Sequence, residues 1–336
     1  MKVLFKTNGF NAILALFIFT VFAVSCSKSG TKPDPPVVTY IKPAVAIKPA
    51  EKITMTTATI VAKVVPNEAG TKVSFQYKEG VSDWNTMSLA QDFSGKDSVT
   101  VTSDLINLKS WTAYSFRVVA SNKGGDVTSS ESKFSTAAVA DIDGNFYGAV
   151  TIGTQVWMSS DLKTTHYRDG SVIPNVVGNA AWSQLTIGGM CFYNNDSKII
   201  PLYNWYAAID TRGLAPVGWH VATHAEFVTL RNFLGGQNVA GGKLKETGTV
   251  QWKTPNIGAT NQTGFTAFPN SIRFGVCIDT SYNGAFYYIS GEFATWLSVD
   301  SFFVGSVAYL SNVDPTMETG YVYDGQLGAA VRCVKD

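Results

Sequence analysis

Three hydrophobic patterns follow one another along this chain. From Ala12 to Val24 the sequence is apolar except for Thr20, and Lys2 and Lys6 precede it with no acidic residue near them. A basic start, a short apolar stretch and small residues at its end predict a secretory signal peptide over residues 1–25. The run falls short of the roughly 20 apolar residues that a membrane-crossing helix needs. Residues 26–41 then offer little to bury. Ser27 to Pro36 is polar and proline-rich, which predicts an extended tether.

Over residues 42–137 the period is two. Ala58, Ile60, Ala62 and Val64 alternate with other positions; a turn at Pro66-Asn67-Glu68-Ala69-Gly70 follows, and Val73, Phe75 and Tyr77 resume the alternation. Val99 and Val101 repeat it, as do Tyr114, Phe116, Val118 and Ala120. Short alternating strands between turn residues predict an all-β sandwich.

Residues 138–336 mix the two periods. Val150 to Met158 reads as a strand pair around Gly153-Thr154. Thr223, followed three residues later by Glu226, is a capping box, and Phe227, Leu230 and Leu234 then share one helical face until Gly235-Gly236. A second short helix is expected from Leu202 to Ile209, with Leu202, Trp205, Tyr206 and Ile209 as its apolar face. The chain as a whole is thus expected to be mostly β, its second domain α+β with two short helices.

Composition narrows the function. Without residues 1–25 the chain has 24 basic and 25 acidic residues, a net charge of −1, which argues against a nucleic-acid or polybasic membrane partner. Charged residues make up 15% of the chain against a usual ~25%. Threonine, serine, asparagine, glycine and aromatics take their place, as on many exported β-rich proteins.

Several groups invite chemistry. His220 and His224 have the i, i+4 spacing of a metal pair, but a cap at Thr223 leaves His220 outside the helix, so no metal is expected there. Asp141-x-Asp143-Gly144-Asn145 echoes a calcium loop without its later ligands and is read as a tight turn. Cys191, Cys277 and Cys333 fit no zinc spacing, and whether two of them pair stays open. Between Tyr282 and Tyr323, rings interleave with Asn, Ser and Asp. Tyr282, Phe286, Tyr287, Tyr288, Phe293, Tyr321 and Tyr323 are the candidate ligand-binding residues, the rings for stacking and the polar groups for orientation. Trp296 and Tyr309 are expected in the core. No catalytic residue and no cofactor is expected.

Three resemblances add to this. Ala23-Val24-Ser25-Cys26 resembles the bacterial lipobox, which implies acylation of Cys26 and a lipid-anchored envelope protein, on the outer membrane, with the face it occupies left open. The segment Leu108 to Val118, with Ala120, Asn122, Gly124-Gly125 and Phe134-Ser135-Thr136, resembles the end of a fibronectin type III domain with Tyr114 as its tyrosine corner, and implies a spacer. Tyr167-Arg168-Asp169-Gly170, Leu202 to Ala207, Gly218-Trp219-His220-Val221, Gly241 to Gly248, Asn261 to Ala267 and Val331 to Asp336 resemble the Fibrobacter succinogenes major paralogous domain. That resemblance implies a C-type lectin-like fold that binds a glycan or an envelope or host protein. It also implies a distant link to the sulfatase-modifying (formylglycine-generating) enzymes, carried by Trp219 to Phe227 and Ala330 to Val334. An enzyme of that kind is the rival reading, and a purely structural envelope component a third. The lectin-like fold further implies that the strand near Thr151–Trp157 lies beside the one near Ala329–Val334.

Overall fold

The computed structural model describes residues 38–275, 291–300 and 305–336. Cys26 and the tether up to residue 37 lie outside the described residues, as do Cys277, Tyr282, Phe286, Tyr287 and Tyr288.

The first domain is built of β1 (Ala44–Ile47), β2 (Ala58–Val65), β3 (Lys72–Glu79), β4 (Asn85–Ser88), β5 (Val99–Leu105), β6 (Ala113–Asn122), β7 (Gly125–Thr128) and β8 (Ser132–Ser135). One sheet runs β1-β2-β5; the other runs β4-β3-β6-β7, with β8 also on β6. Every pairing is antiparallel. Alternation places Ile60, Ala62 and Val64 of β2 opposite Val73 and Phe75 of β3 and Phe116 and Val118 of β6, all buried in one core. Tyr114 stacks its ring on Phe134 at 5.5 Å, and its hydroxyl accepts the Lys109 N–H at 3.0 Å. That is the tyrosine corner, and the domain is a fibronectin type III-like sandwich.

Three residues lead into the second domain, and each backbone N–H is used. Thr136 donates to Thr112, Ala137 to Thr54 and Ala138 to Tyr147. Trp111, in the loop before β6, donates its indole N–H to the Ala149 carbonyl at 3.0 Å, and the Lys335 ammonium sits 5.4 Å from the ring centre.

The second domain begins with β9 (Val139–Ala140), β10 (Phe146–Tyr147), β11 (Ala149–Ile152) and β12 (Gln155–Met158). It continues with α1 (Asn179–Ser183), β13 (Met190–Phe192), β14 (Pro201–Tyr203), α2 (Trp205–Ala208), β15 (Trp219–Val221), α3 (His224–Phe233) and α4 (Gln237–Leu244). It closes with β16 (Phe293–Ser298), β17 (Ser306–Ser311), β18 (Met317–Tyr321), β19 (Ala330–Val331) and β20 (Cys333–Lys335). Its two larger sheets are β11-β12-β20-β15 and β18-β17-β16-β19. Trp157 of β12 faces Val334 of β20, so the two ends of the domain are neighbours, as expected. The final segment also joins the sheets: β19 runs parallel to β16, and one residue later β20 is antiparallel to β12 and β15.

Arg332 is that one residue, and it is fully buried. Its guanidinium meets Asp161 at 2.7 Å and donates to the Met158 and Phe265 carbonyls. The Trp296 indole N–H donates to the same carboxylate at 2.7 Å. A buried charge is tolerable only when paired and bonded in this way.

Two expectations need correction. Four α-helices stand among the described residues where two were expected. The missing one of substance is α4: Gln-Asn-Val-Ala-Gly-Gly-Lys-Leu has two helix-weakening glycines, so its local pattern is poor. Packing holds it, because a Cβ on Gly241 would lie 1.9 Å from the Thr316 carbonyl oxygen and one on Gly242 2.3 Å from that of Gly258. Secondly, Leu202 belongs to β14, not to a helix, and α2 starts only at Trp205 behind its cap Asn204. The pairing of β14 with β13 took the first residues of the apolar run. α3 matches its sequence signals: Thr223 and Glu226 form the reciprocal cap, and Phe227 and Leu230 are buried. Trp296 is core, but Tyr309 is not; it points outward from β17.

Candidate functional site

The expected aromatic face divides. Phe293 opens β16 and pairs with Ser311, whereas Tyr321 ends β18 and pairs through Ser306, at the opposite end of the same sheet. Five residues of strand at ~3.3 Å each separate those ends, too far for one small ligand. Phe293 is half-buried; Tyr321 and Tyr323 are exposed, at 45% and 80%.

Around Tyr321 and Tyr323 the fold adds rings that the sequence had placed elsewhere. The Val322 N–H donates to the Gly305 carbonyl, and the Trp205 N–H to that of Gly325, so the ribbon after β18 lies along α2. Gly325 permits this approach: a Cβ there would be 2.8 Å from the Tyr206 ring. Trp205 and Tyr206 meet edge to face, 5.5 Å apart. On the other side, the first residue of α3 brings the His224 imidazole flat against Tyr321, with centroids 4.5 Å apart and an interplanar angle of 25°. Tyr321 on His224 and Trp205 on Tyr206 are thus two ring pairs joined by the ribbon that also carries Tyr323, a candidate aromatic rim drawn from three segments. The sequence signal for it was Tyr321 and Tyr323, two apart; in the fold Tyr321 closes β18 and Tyr323 lies in the ribbon beyond it.

Burial lowers the His224 pKa, with Arg231 adding to the effect and Asp300 opposing it. That shift favours the neutral imidazole, so the rim presents stacked rings rather than a charge. Half-exposed flat rings with hydroxyl tips suit the apolar face of a sugar or a flat side chain.

The two histidines do not converge on a metal. His220 places Nε2 2.8 Å from Glu226 and Nδ1 2.7 Å from Asp336. Its pKa rises to about 9 through the Glu226 hydrogen bond, with burial opposing and Asp336 adding. Among the described residues no cluster of three His, Cys, Asp or Glu side chains could hold a metal ion. The Asp141 turn is closed by its own residues, since Asp141 accepts from the Asp143 and Asn145 N–H groups, the Asn145 amide and the Tyr147 hydroxyl. Asp143 is occupied by Thr164, Thr165 and His166. Cys191 and Cys333 are both buried and carry no disulfide. Burial pushes the Cys191 thiol up to about 11 and raises that of Cys333. Neither is a ready nucleophile, because the thiolate is the reactive form.

Comparison with known proteins gives one family match. The model of the Fibrobacter succinogenes major domain matches residues 150–335. No curated protein matches the chain. Among solved structures, the sensor domain of the anti-sigma factor RsgI4 from Pseudobacteroides cellulosolvens is 30% identical. That match covers 29% of this chain and 96% of that domain, with a TM-score of 0.25. The fibronectin type III domain of human fibronectin type III domain containing protein 3 is 20% identical, covering 31% of this chain and 91% of that one, with a TM-score of 0.20.

Proposed function

Since the chain belongs to the Fibrobacter succinogenes major domain family, we propose that it is a non-catalytic binding protein of the cell envelope that holds a glycan or a protein on its second domain. The aromatic rim of Tyr321, Tyr323, Trp205, Tyr206 and His224 carries this reading: Tyr321 stacks on His224, Trp205 meets Tyr206, and the ribbon with Tyr323 runs along α2, with Gly325 close to the Tyr206 ring. A lectin-like architecture is supported by the pairing of β12 with β20, which leaves the long connections free to display such a rim. The sandwich serves as a spacer, and acylation at Cys26 fixes the chain to the membrane. The lipobox-like Ala23-Val24-Ser25-Cys26 supports that anchor. The enzyme reading would need converging reactive cysteines, and the burial of Cys191 and Cys333 weighs against it.

A glycan array probed with the full chain, beside Tyr321→Ala and Tyr323→Ala variants, tests the site. Binding to at least one glycan class, lowered tenfold or more in each variant, is expected. Undiminished binding in both would place the ligand elsewhere. Membrane fractionation tests the anchor: Cys26→Ala should move the protein to the soluble fraction, and retention with lipid would refute acylation.

A further inference from the structure

We propose that a second site, at the opposite end of the β16–β18 sheet from the aromatic rim, takes a single uncharged sugar ring. The inference rests on the reading of this domain as a binder, but not on the rim. A cavity of about 180 Å³ lies there; its lining combines the apolar side chains of Ile199, Ile200, Leu202 and Pro269 with the polar ones of Tyr193, Gln251, Asn270 and Ser271. Aliphatic groups, amides and hydroxyls line it together, with no charged side chain among them.

Asn270 makes this a built site. Its backbone N–H donates to the Phe293 carbonyl at 2.9 Å, and its Oδ1 accepts the Thr295 N–H at 2.7 Å. Rotating the amide would set Nδ2 against the Thr295 N–H, donor against donor, so its orientation is fixed. The Nδ2 group is buried and has no hydrogen-bond partner among the described residues. Buried donors are nearly always satisfied, and an orphan in a cavity wall calls for an acceptor that the chain does not supply. The backbone at Gln251 is held close to Gly291. Gly291 has φ +81°, its carbonyl accepts the Lys253 N–H at 2.8 Å, and a Cβ there would stand 3.1 Å from the Gln251 carbonyl oxygen.

The ligand class follows from the lining. Aliphatic surface combined with a fixed neutral donor at Asn270 and further uncharged polar groups matches a pyranose, with its C–H groups for the former and its hydroxyl or acetamido oxygens for the latter. Lys253 and Glu292, close in sequence to the lining residues Gln251 and Gly291, pair with each other at 2.9 Å, and no charged side chain lines the cavity to select an acid.

Saturation-transfer NMR on the full chain provides the test, with N-acetylglucosamine, glucose, galactose, mannose, glucuronate and N-acetylalanine methylamide as probes. At least one neutral sugar should bind, and glucuronate should bind more weakly. Asn270→Asp keeps the acceptor for Thr295 but removes the donors, and should lower affinity at least tenfold. Gln251→Ala, at an exposed position that does not threaten folding, should lower it severalfold. Tyr323→Ala should leave this binding unchanged while weakening array binding, which separates the two sites. The proposal is overturned if no neutral sugar binds, if both cavity variants bind like the parent, if Tyr323→Ala alone abolishes the signal, or if the peptide amide binds more tightly than every sugar.

Discussion

Arg332 has a side chain with no access to water, placed where the final strand passes from one sheet to the other. Burial lowers its pKa and Asp161 opposes that, so the pair stands or falls together. Asp161→Ala leaves a buried guanidinium without its counter-charge, and a loss of about 3–5 kcal/mol is expected in urea unfolding. Asp161→Leu combined with Arg332→Met should recover part of it. His220 makes the pH argument at the same scale. Its folded pKa of about 9 lies above the ordinary 6.5, so its stabilisation is complete below about pH 6.5 and disappears as pH rises through 9. Lys245, which burial holds down at about 8 while Asp314 opposes, acts in the opposite sense over the alkaline range. The difference in melting temperature between parent and His220→Gln isolates the histidine: it should be constant from pH 5 to 6.5 and shrink between pH 7 and 10. A difference that does not vary with pH would disprove the His220–Glu226 charge pairing.

At the scale of elements, local and tertiary stabilisation can be told apart by comparing two adjacent helices. α3 is specified by its own residues: Thr223 Oγ1 accepts the Glu226 N–H, and Glu226 returns a carboxylate oxygen to the Thr223 N–H at 2.8 Å. Thr223→Ala should cost about 1–2 kcal/mol, and Thr223→Ser should restore most of it, as read from urea midpoints. α4 depends on closeness instead. In an isolated helix Gly241→Ala would be stabilising, since alanine is the better helix former by about 1 kcal/mol. In this fold its methyl group would strike the Thr316 backbone at 1.9 Å, so the same change should destabilise the protein by about 1–3 kcal/mol or more. The sign of that single measurement decides whether α4 is held by its neighbours.

For the whole molecule, the critical connection is the one between residues far apart in sequence. β20 hydrogen-bonds to both β12 and β15, and β19 to β16, so the last nine residues bind both sheets of the second domain. Closing so long a loop costs little more than closing a short one, because the entropy grows only logarithmically. Ending the chain at residue 327 should therefore abolish the calorimetric transition of the second domain and leave that of the sandwich. A truncated chain that still shows both transitions would mean that the ends contribute little.

The sequence alone determined what depends on short-range spacing. Alternation gave the sandwich strands and their inward residues, Tyr114 marked its own corner, and Thr223 with Glu226 marked the start of α3; each signal is complete within a few residues. The closure of the second domain was also expected, through the lectin-like resemblance and because the alternating end segment Val331–Cys333 has no partner nearby in sequence. The tertiary structure decided everything that turned on register and contact. It separated Phe293 from Tyr321, because strand pairing sets which ends of β16 and β18 share a side. It moved Leu202 into a strand and Tyr309 to the surface, and it made a helix of a glycine pair. It also stacked His224 on Tyr321 and laid the ribbon beyond β18 along Trp205 and Tyr206. Periodicity says which residues seek burial, but only the folded chain fixes which of them meet.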